Sequence, residues 1–194
     1  DGVEHVMGSL LELQLGLEFY LAIDGMRQLA HAKGLCVCIP ELVQVATGAP
    51  FTVTQLYNPF LLLEERPPVP CDINLASHGL VLITGPNSGG KTRLLQAVGL
   101  VQLLAQCGAW VPGRKAVVPH RDGLFVSLVH EVSADQHEGR LGTELLRIRR
   151  LFERLGFDQM VLLDELCSGT NPSEGEGIVH LVISLLEELR PQAL

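Results

Sequence analysis

A glycine-rich stretch at residues 85–92 constrains the fold of this chain more than any other feature. It directly follows an apolar run at residues 80–84 and precedes a helix-like stretch. Glycines suit a turn whose backbone N–H groups converge on phosphate oxygens, because they adopt positive φ angles and carry no Cβ. We therefore expect a nucleoside triphosphate to bind a phosphate loop made of Gly85, Pro86, Asn87, Ser88, Gly89, Gly90, Lys91 and Thr92.

Two side chains at the end of this loop have separate predicted roles. Lys91 supplies a mobile positive charge to the β- and γ-phosphates, and Thr92 offers its hydroxyl to Mg²⁺. The N-terminus of the following helix adds the positive end of its dipole. The alternative is a glycine-rich turn that binds nothing, and the strand before it and the helix after it argue against that interpretation.

A second motif lies downstream, where the apolar residues 159–163 are followed by Asp164 and Glu165. This pattern is typical of a buried parallel strand that delivers carboxylates to the carboxyl edge of a sheet. We expect Asp164 to hold Mg²⁺, usually through water, and Glu165 to orient and deprotonate the attacking water as the catalytic residue. Many surface turns also read Asp-Glu, so the prediction depends on the pairing with the phosphate loop.

Composition limits the remaining possibilities. With 194 residues, 47% of them hydrophobic, the chain can bury one sizeable core, so we expect one main domain plus an appendage. A net charge of −8 argues against nucleic-acid binding by this segment through simple electrostatics. The odd, scattered cysteines indicate small core residues in a reducing compartment, and no charged and then apolar leader opens the chain, so we predict a cytoplasmic protein without membrane contact.

Hydrophobic periodicity predicts alternating strands and helices, and hence an α/β sheet. The first helix, at residues 6–32, is expected to be long and largely buried, and its missing cap suggests a chain cut from something longer. An arginine-rich face on the helix that begins near residue 142 is interpreted as solvated rather than DNA-binding. Strands are predicted at residues 51–57, 80–84, 116–118, 124–129 and 159–163, and further helices at 142–155 and 174–189. The uncharged stretch at residues 94–113 is interpreted as a buried core helix rather than a membrane span, followed by a turn at residues 111–113.

These elements in this order resemble the ATPase domain of the MutS family of DNA mismatch-repair proteins. The resemblance covers nearly the whole chain and rests on three segments. The first of them contains the phosphate loop, whose Gly-Pro-Asn opening is more specific than the general P-loop pattern. Residues 169–175 are closer to the second bacterial subfamily of MutS proteins, and a third, MutS-like group is equally possible. The three segments are residues 84–92, 107–112, and 163–166 with Ser168, Gly169 and Thr170 after them.

The resemblance implies a P-loop NTPase sheet of ABC-ATPase type with helices on both faces, preceded by a long helix from an adjoining core domain. Residues 1–45 would then be the end of a helical core or lever domain with its connection, and residues 46–194 a C-terminally truncated ATPase domain. In the family, a further strand follows the last helix and carries a histidine that senses the γ-phosphate. We expect that strand to be missing, because the sequence stops at Leu194.

The resemblance also implies ATP hydrolysis with Mg²⁺ at a composite site in a homodimer, with DNA contacted by domains outside this segment. Each nucleotide would be covered by a helix start from the other subunit. The family's usual serine falls on Gly139, so its hydroxyl is absent, although backbone N–H groups or Thr143 could serve instead. The residues expected to act across the dimer are Gly139, Arg140, Thr143, Ser168, Gly169 and Thr170.

Two other functions stay open at this point. One is a nucleotide-dependent switch that binds ATP and dimerises but has negligible turnover, which the glycine at position 139 makes plausible. The other is another ABC-type ATPase of DNA maintenance or transport. That class should carry a Ser-Gly-Gly-type covering motif and a glutamine loop, and neither is placed in this sequence.

Overall fold

The computed structural model describes residues 2–128, 140–166 and 172–194. These residues form four α-helices, two short 3₁₀ helices and ten strands. The helices are α1 (Gly2–Ala32), α2 (Lys91–Gln106), α3 (Arg140–Arg154) and α4 (Pro172–Leu189), with 3₁₀ helices at Val45–Thr47 and Pro59–Leu63. The strands are β1 (Val37–Cys38), β2 (Glu41–Val43), β3 (Phe51–Leu56), β4 (Cys71–Leu75), β5 (Gly79–Leu80), β6 (Val111–Pro112), β7 (Lys115–Pro119), β8 (Gly123–Ser127), β9 (Gln159–Leu163) and β10 (Gln192–Ala193).

A four-stranded parallel sheet carries the elements around the phosphate loop, in the order β5-β10-β9-β8. Strand β9 occupies residues 159–163, as the sequence predicted, and Met160, Val161 and Leu162 are fully buried in it. Apolar residues on both faces are expected of a parallel strand covered on both sides. The chain is therefore an α/β protein, as predicted.

Helices pack on both faces of this sheet. Met160 and Leu162 share a core cluster with Val98 of α2. Val161 points the other way and joins a cluster with Leu151 of α3 and Val182 of α4, because successive side chains of a strand alternate between faces. The uncharged stretch after the phosphate loop is thus a buried core helix, as the sequence predicted.

A second sheet, in the order β2-β7-β3-β4, contributes to the same core cluster as α2. Strand β3 pairs antiparallel with both β4 and β7, and its ladder is irregular between Val53 and Leu56. Phe51 and Val53 of β3 belong to the same apolar cluster as Val98 of α2. Helix α2, which follows the phosphate loop, therefore packs in one core with strands of both sheets.

The strand before the phosphate loop is shorter than predicted. Strand β5 contains only Gly79 and Leu80, and although the Val81 N–H still donates to Ala193 O at 2.8 Å, Leu82 is 67% exposed. Strand β5 pairs in parallel with β10 through two residue pairs, Gly79 with Gln192 and Leu80 with Ala193. Strand hydrogen bonds depend on a neighbouring strand, which a local apolar run does not reveal.

The expectation that no strand follows the last helix is wrong. Gln192 and Ala193 form β10, which pairs in parallel with β5 on one side and β9 on the other. The strand of the phosphate loop and the strand of the acidic pair are therefore separated by one strand. This insertion is a matter of topology, and two residues carry too little pattern to predict it.

The prediction of a largely buried first helix is also wrong for the described structure. Helix α1 buries only Ile23 and Ala30, near its C-terminal end, while Leu10, Leu13 and Leu21 are 55%, 59% and 71% exposed. A helix that is apolar all round is normally covered by protein or by lipid. By length and composition alone, α1 could also cross a bilayer.

Candidate nucleotide site

The phosphate loop makes a tight turn that requires glycine at two positions. Gly90 has φ 87°, in the left-handed region that L side chains rarely adopt, and Ser88 also has a positive φ of 62°. At Gly89 the restriction is steric, because a Cβ would lie 2.9 Å from Pro86 O. The Gly89 N–H donates to that same oxygen at 3.1 Å, which closes the turn.

Helix α2 begins directly at the end of the loop, with Gly90 as its N-cap residue. Its first intrahelical hydrogen bond runs from Leu94 N to Gly90 O at 2.9 Å. The N–H groups of Lys91, Thr92 and Arg93 precede that bond and have no acceptor within the helix. They present three donors and the positive end of the helix dipole to the loop, an arrangement that favours an anion.

The Lys91 ammonium group lies over the loop. Its Nζ donates to Gly85 O at 3.0 Å and to Pro86 O at 2.9 Å. These carbonyl groups hold the cation beside the turn, where it lines the loop cavity described below. A phosphate bound there would face an ammonium group with three donors and no acceptor.

Thr92 and Asp164 meet across the edge of the parallel sheet. The Thr92 hydroxyl donates to Asp164 Oδ2 at 2.5 Å, and the Asp164 N–H extends the pairing with β8 by donating to Ser127 O at 2.9 Å. Asp164 follows the last residue of β9, so the carboxylate stands at the carboxyl edge of the sheet. The structure thus brings together the two residues predicted to bind the metal.

Glu165, the predicted catalytic residue, follows with φ 47°, an uncommon conformation for a residue with a side chain. This turn directs the chain so that Glu165 lines a cavity of about 280 Å³ together with the phosphate loop. We call this space the loop cavity, and its wall consists of Asn87, Ser88, Gly89, Gly90, Lys91, Thr92, Arg93 and Glu165. An acid, a hydroxyl and an ammonium group therefore face one small polar volume.

The donors at this position suit Mg²⁺. One carboxylate oxygen and one hydroxyl are hard ligands, and Mg²⁺ is usually held by one or two such protein groups together with water and substrate phosphates. In the part of the chain that the structure describes, no group of three or more His, Cys, Asp and Glu side chains is placed to hold a metal by itself. The residues therefore fit a metal that arrives with a nucleotide.

A second cavity, of about 500 Å³, adjoins the loop cavity. It extends from the phosphate loop to the residues between β3 and β4, and its wall includes Leu56, Tyr57, Leu61, Val69 and Leu94. We call it the apolar cavity. Val69 is 90% exposed although it lines this space, so it stands free at the rim. No sequence pattern predicts this cavity, because its wall is assembled from distant segments.

Asn58 connects the segment between β3 and β4 with the start of α2, a role that no sequence pattern revealed. It is 4% exposed and caps the 3₁₀ helix by accepting the Phe60 N–H at 2.9 Å. Its Nδ2 donates to Arg93 O at 2.9 Å and to Gln96 Oε1 at 3.1 Å in the first turns of α2. An Asn-Pro pair in a sequence usually marks only a strand break, but here Asn58 also fixes the helix that follows the phosphate loop.

Burial at Tyr57 has an electrostatic consequence. Loss of water around the ring raises the pKa of the Tyr57 hydroxyl, and the nearby Cys36 and Cys38 raise it further. The hydroxyl is buried, and it has no hydrogen-bond partner in the part of the chain described. Tyr57 is therefore neutral and contributes to the apolar cavity mainly through its ring.

The residues predicted to act across a dimer are only partly described. Gly139, Ser168, Gly169 and Thr170 lie outside the described residues. Arg140 is the first residue of α3 and Thr143 lies in its first turn, and for both only the backbone is described. The roles predicted for these residues across a dimer therefore stay predictions.

Comparison with known proteins gives consistent matches. Residues 81–194 match the family model described as MutS domain V. Over 163 residues the chain is 34% identical to a protein of Thermomicrobium roseum named Endonuclease MutS2, covering 77% of this chain and 20% of that protein. It is 30% identical over 164 residues to the Endonuclease MutS2 of Thermus thermophilus, covering 84% and 22% respectively. The chain thus spans about a fifth of the length of these curated relatives.

Proposed function

The chain belongs to the MutS family, through the domain matched by residues 81–194, and from that premise we propose that it binds MgATP and hydrolyses it to ADP and phosphate. The observation that carries this proposal is the 2.5 Å contact between Thr92 Oγ1 and Asp164 Oδ2 beside a cavity that Glu165 and the phosphate loop share. A triphosphate, a metal and a water molecule each find a suitable group within that one volume.

The phosphate loop and the start of α2 would bind the triphosphate through their N–H groups and through Lys91. The ammonium group would exchange the Gly85 and Pro86 carbonyl groups for β- and γ-phosphate oxygens. Thr92 and Asp164 would hold Mg²⁺. When bound, the metal neutralises part of the charge on the phosphates and orients them for in-line attack.

Glu165 is proposed as the general base. Its carboxylate would accept a proton from a water molecule whose oxygen forms a bond to the γ-phosphorus. The bond from that phosphorus to the bridging oxygen breaks, and ADP leaves with the bonding electrons. Because general bases typically contribute 10²- to 10⁴-fold to a rate, loss of the carboxylate should lower turnover by about that factor.

The apolar cavity is proposed to bind the adenine base. Its volume of about 500 Å³ lies within the usual size range of ligand sites, and its wall combines the Tyr57 ring with aliphatic side chains. Gly89, Gly90 and Lys91 line both cavities, so one nucleotide can span from base to γ-phosphate. This continuity favours a nucleotide over inorganic polyphosphate as the ligand.

We further propose that the module has the ABC type of P-loop fold and acts as a homodimer within a longer cytoplasmic protein, coupling nucleotide state to DNA handled by other domains. Residues 1–45 would belong to an adjoining helical domain and residues 46–194 to the ATPase domain. The relatives' name supports the second bacterial subfamily, with a MutS-like group as the alternative. The residues proposed to act across the dimer remain Gly139, Arg140, Thr143, Ser168, Gly169 and Thr170.

A switch with negligible turnover is the second candidate function. It is favoured by the glycine at position 139, where the family resemblance calls for a serine hydroxyl. An ABC-type ATPase of DNA maintenance or transport outside this family is not proposed, because the chain belongs to the MutS family. Single-turnover hydrolysis of radiolabelled ATP distinguishes an ATPase from a switch, since a switch would retain intact ATP over many minutes.

The experiment that tests the proposal compares Glu165→Gln with the parent protein. Glutamine keeps the size of the side chain but cannot take the proton, so we expect ATP binding within about threefold and hydrolysis reduced by two orders of magnitude or more. Glu188→Gln, an exposed glutamate on α4, is the matched control and should change neither quantity. Equal turnover in Glu165→Gln and the parent protein would remove Glu165 from its role.

A further inference from the structure

Arg93 is the second cation at the point where the two cavities meet. It lines the loop cavity and also the apolar cavity, as Lys91 does. Thr92 and Glu165 line only the loop cavity, so they mark the end of the combined space where the metal is proposed to bind. Tyr57 and Val69 line only the apolar cavity and mark its base end.

The backbone of Arg93 is held by a buried group. Asn58, which is 4% exposed, donates from Nδ2 to Arg93 O at 2.9 Å. The same Nδ2 donates to Gln96 Oε1 at 3.1 Å, so Asn58 fixes two positions of the first helical turns. The side chain of Arg93 therefore starts from a defined place at the junction.

The guanidinium group itself is only lightly engaged. Arg93 is exposed, and its Nη1 donates at 3.2 Å to Gln96 Oε1, a neutral acceptor already shared with Asn58. The ion pairs found among the described residues involve other side chains. Giving up one long hydrogen bond to an amide costs little, so the group is free to turn toward a stronger acceptor.

We propose that Arg93 binds the α-phosphate of the nucleotide. This inference rests on the proposed function, in which the base lies in the apolar cavity and the γ-phosphate lies near Glu165. The α-phosphate must then pass the junction, where Arg93 offers a planar fork of N–H donors suited to two phosphate oxygens. Lys91 is committed to the β- and γ-phosphates, so the two cations divide the triphosphate between them.

One consequence follows for the nucleotide cycle. ATP and ADP both carry an α-phosphate, so Arg93 should add equally to the binding of substrate and product. Such a contact does not favour the transition state and does not raise kcat. It keeps the nucleotide in place after hydrolysis, so that ADP release becomes slower. Arg93 is therefore a nucleotide-binding residue rather than a catalytic one.

The test is calorimetric titration of Arg93→Gln with MgADP and with a non-hydrolysable MgATP analogue. A charge-assisted hydrogen bond contributes enough that we expect both dissociation constants to rise by about tenfold, by the same factor within error. Arg93→Lys keeps the charge without the fork and should recover part of the loss. Arg150→Gln, at an exposed arginine on α3, is the matched control and should bind both nucleotides like the parent protein.

Three outcomes would overturn the proposal. A loss confined to the triphosphate analogue would move the contact to the γ-phosphate. A loss that differs between MgADP and MgGDP would indicate stacking of the guanidinium group on the base, and an unchanged affinity for MgADP would remove Arg93 from the site. If the parent protein binds no adenine nucleotide, the proposed function fails as well, which is distinct from failure of the variant alone.

Discussion

The Thr92 hydroxyl donates to Asp164 Oδ2 at 2.5 Å, across 72 residues of sequence. Thr92 lies in the first turn of α2, and Asp164 follows β9. The contact exists because the loop after β5 and the end of β9 emerge at the same edge of one parallel sheet, with β10 between them. It couples the predicted phosphate-binding and acidic motifs directly.

Replacing Thr92 by valine is expected to abolish the stimulation of ATP hydrolysis by Mg²⁺. Valine has nearly the same shape but lacks the hydroxyl, so the proposed metal loses one ligand while the packing is preserved. Loss of one preorganised electrostatic contact typically lowers kcat by about 10²-fold. Steady-state hydrolysis across a magnesium titration measures this effect.

Thr92→Ser, which keeps the hydroxyl, serves as the control and should retain most of the activity. If Thr92→Val responds to Mg²⁺ as the parent protein does, the hydroxyl is not a metal ligand.

Gly89→Ala should weaken ATP binding without unfolding the protein. The new Cβ would lie 2.9 Å from Pro86 O, a backbone atom that cannot turn away, so the loop must open. Local backbone strain of this kind costs about 1–3 kcal/mol, which corresponds to a dissociation constant for ATP raised by about 5- to 160-fold. Fluorescence titration with a labelled nucleotide would measure it.

The matched control for the loop is Gly177→Ala in α4, where a Cβ meets nothing within 4 Å. Its affinity for ATP should equal that of the parent protein. Tight binding by Gly89→Ala would mean that the turn does not need to keep its present shape.

Gly99→Ala should destabilise the fold even though alanine favours helices. Alanine gains about 1 kcal/mol over glycine within a helix. At Gly99, however, the Cβ would lie 2.8 Å from Leu162 Cδ1 in the fully buried face of β9, and overpacking there costs about 1–3 kcal/mol. We expect a net loss of about 1 kcal/mol in the free energy of unfolding, measured in denaturant.

Gly25→Ala separates the two effects, because it is also helical but a Cβ there meets nothing within 4 Å. It should raise the free energy of unfolding by up to about 1 kcal/mol. Stabilisation by both substitutions would show that Leu162 adapts at no cost.

Gln192→Ala should destabilise the protein through a buried arginine. Arg121 is 1% exposed, and its Nη2 donates to Ser77 O and to Gln192 Oε1, the latter at 3.1 Å. Its Nε and Nη1 are buried and have no partner among the described residues, and burial lowers the pKa of the guanidinium group. Removing the Gln192 acceptor should cost about 1–3 kcal/mol in the free energy of unfolding.

Adding Arg121→Met to Gln192→Ala should recover part of that loss, because the unpaired charge is then replaced by an apolar chain of similar length. Gln14→Ala, on the exposed part of α1, should change the free energy of unfolding by less than about 0.5 kcal/mol. Strictly additive effects of the two core substitutions would exclude the coupling between Arg121 and Gln192.

Features set by neighbouring residues were predictable from the sequence. The turn at Gly89 and Gly90 depends on backbone φ angles and on a contact with Pro86, only three residues away from Gly89. Strand β9 followed from a short apolar run, and the burial of α2 beyond its first turn followed from the uncharged stretch that begins at Leu94. In each of these cases the relevant energy is local, so a sequence pattern carries it.

The tertiary structure alone decided how these pieces meet. The chain folds so that Asn58 reaches Arg93 and so that β10 enters between β5 and β9, contacts that no local pattern encodes. The exposure of α1 likewise depends on which surfaces pack against it, since its apolar composition is equally suited to burial. Backbone torsions and side-chain charge are properties of a short segment, whereas cavities and strand order depend on segments brought together by the global minimum of packing and hydrogen bonding.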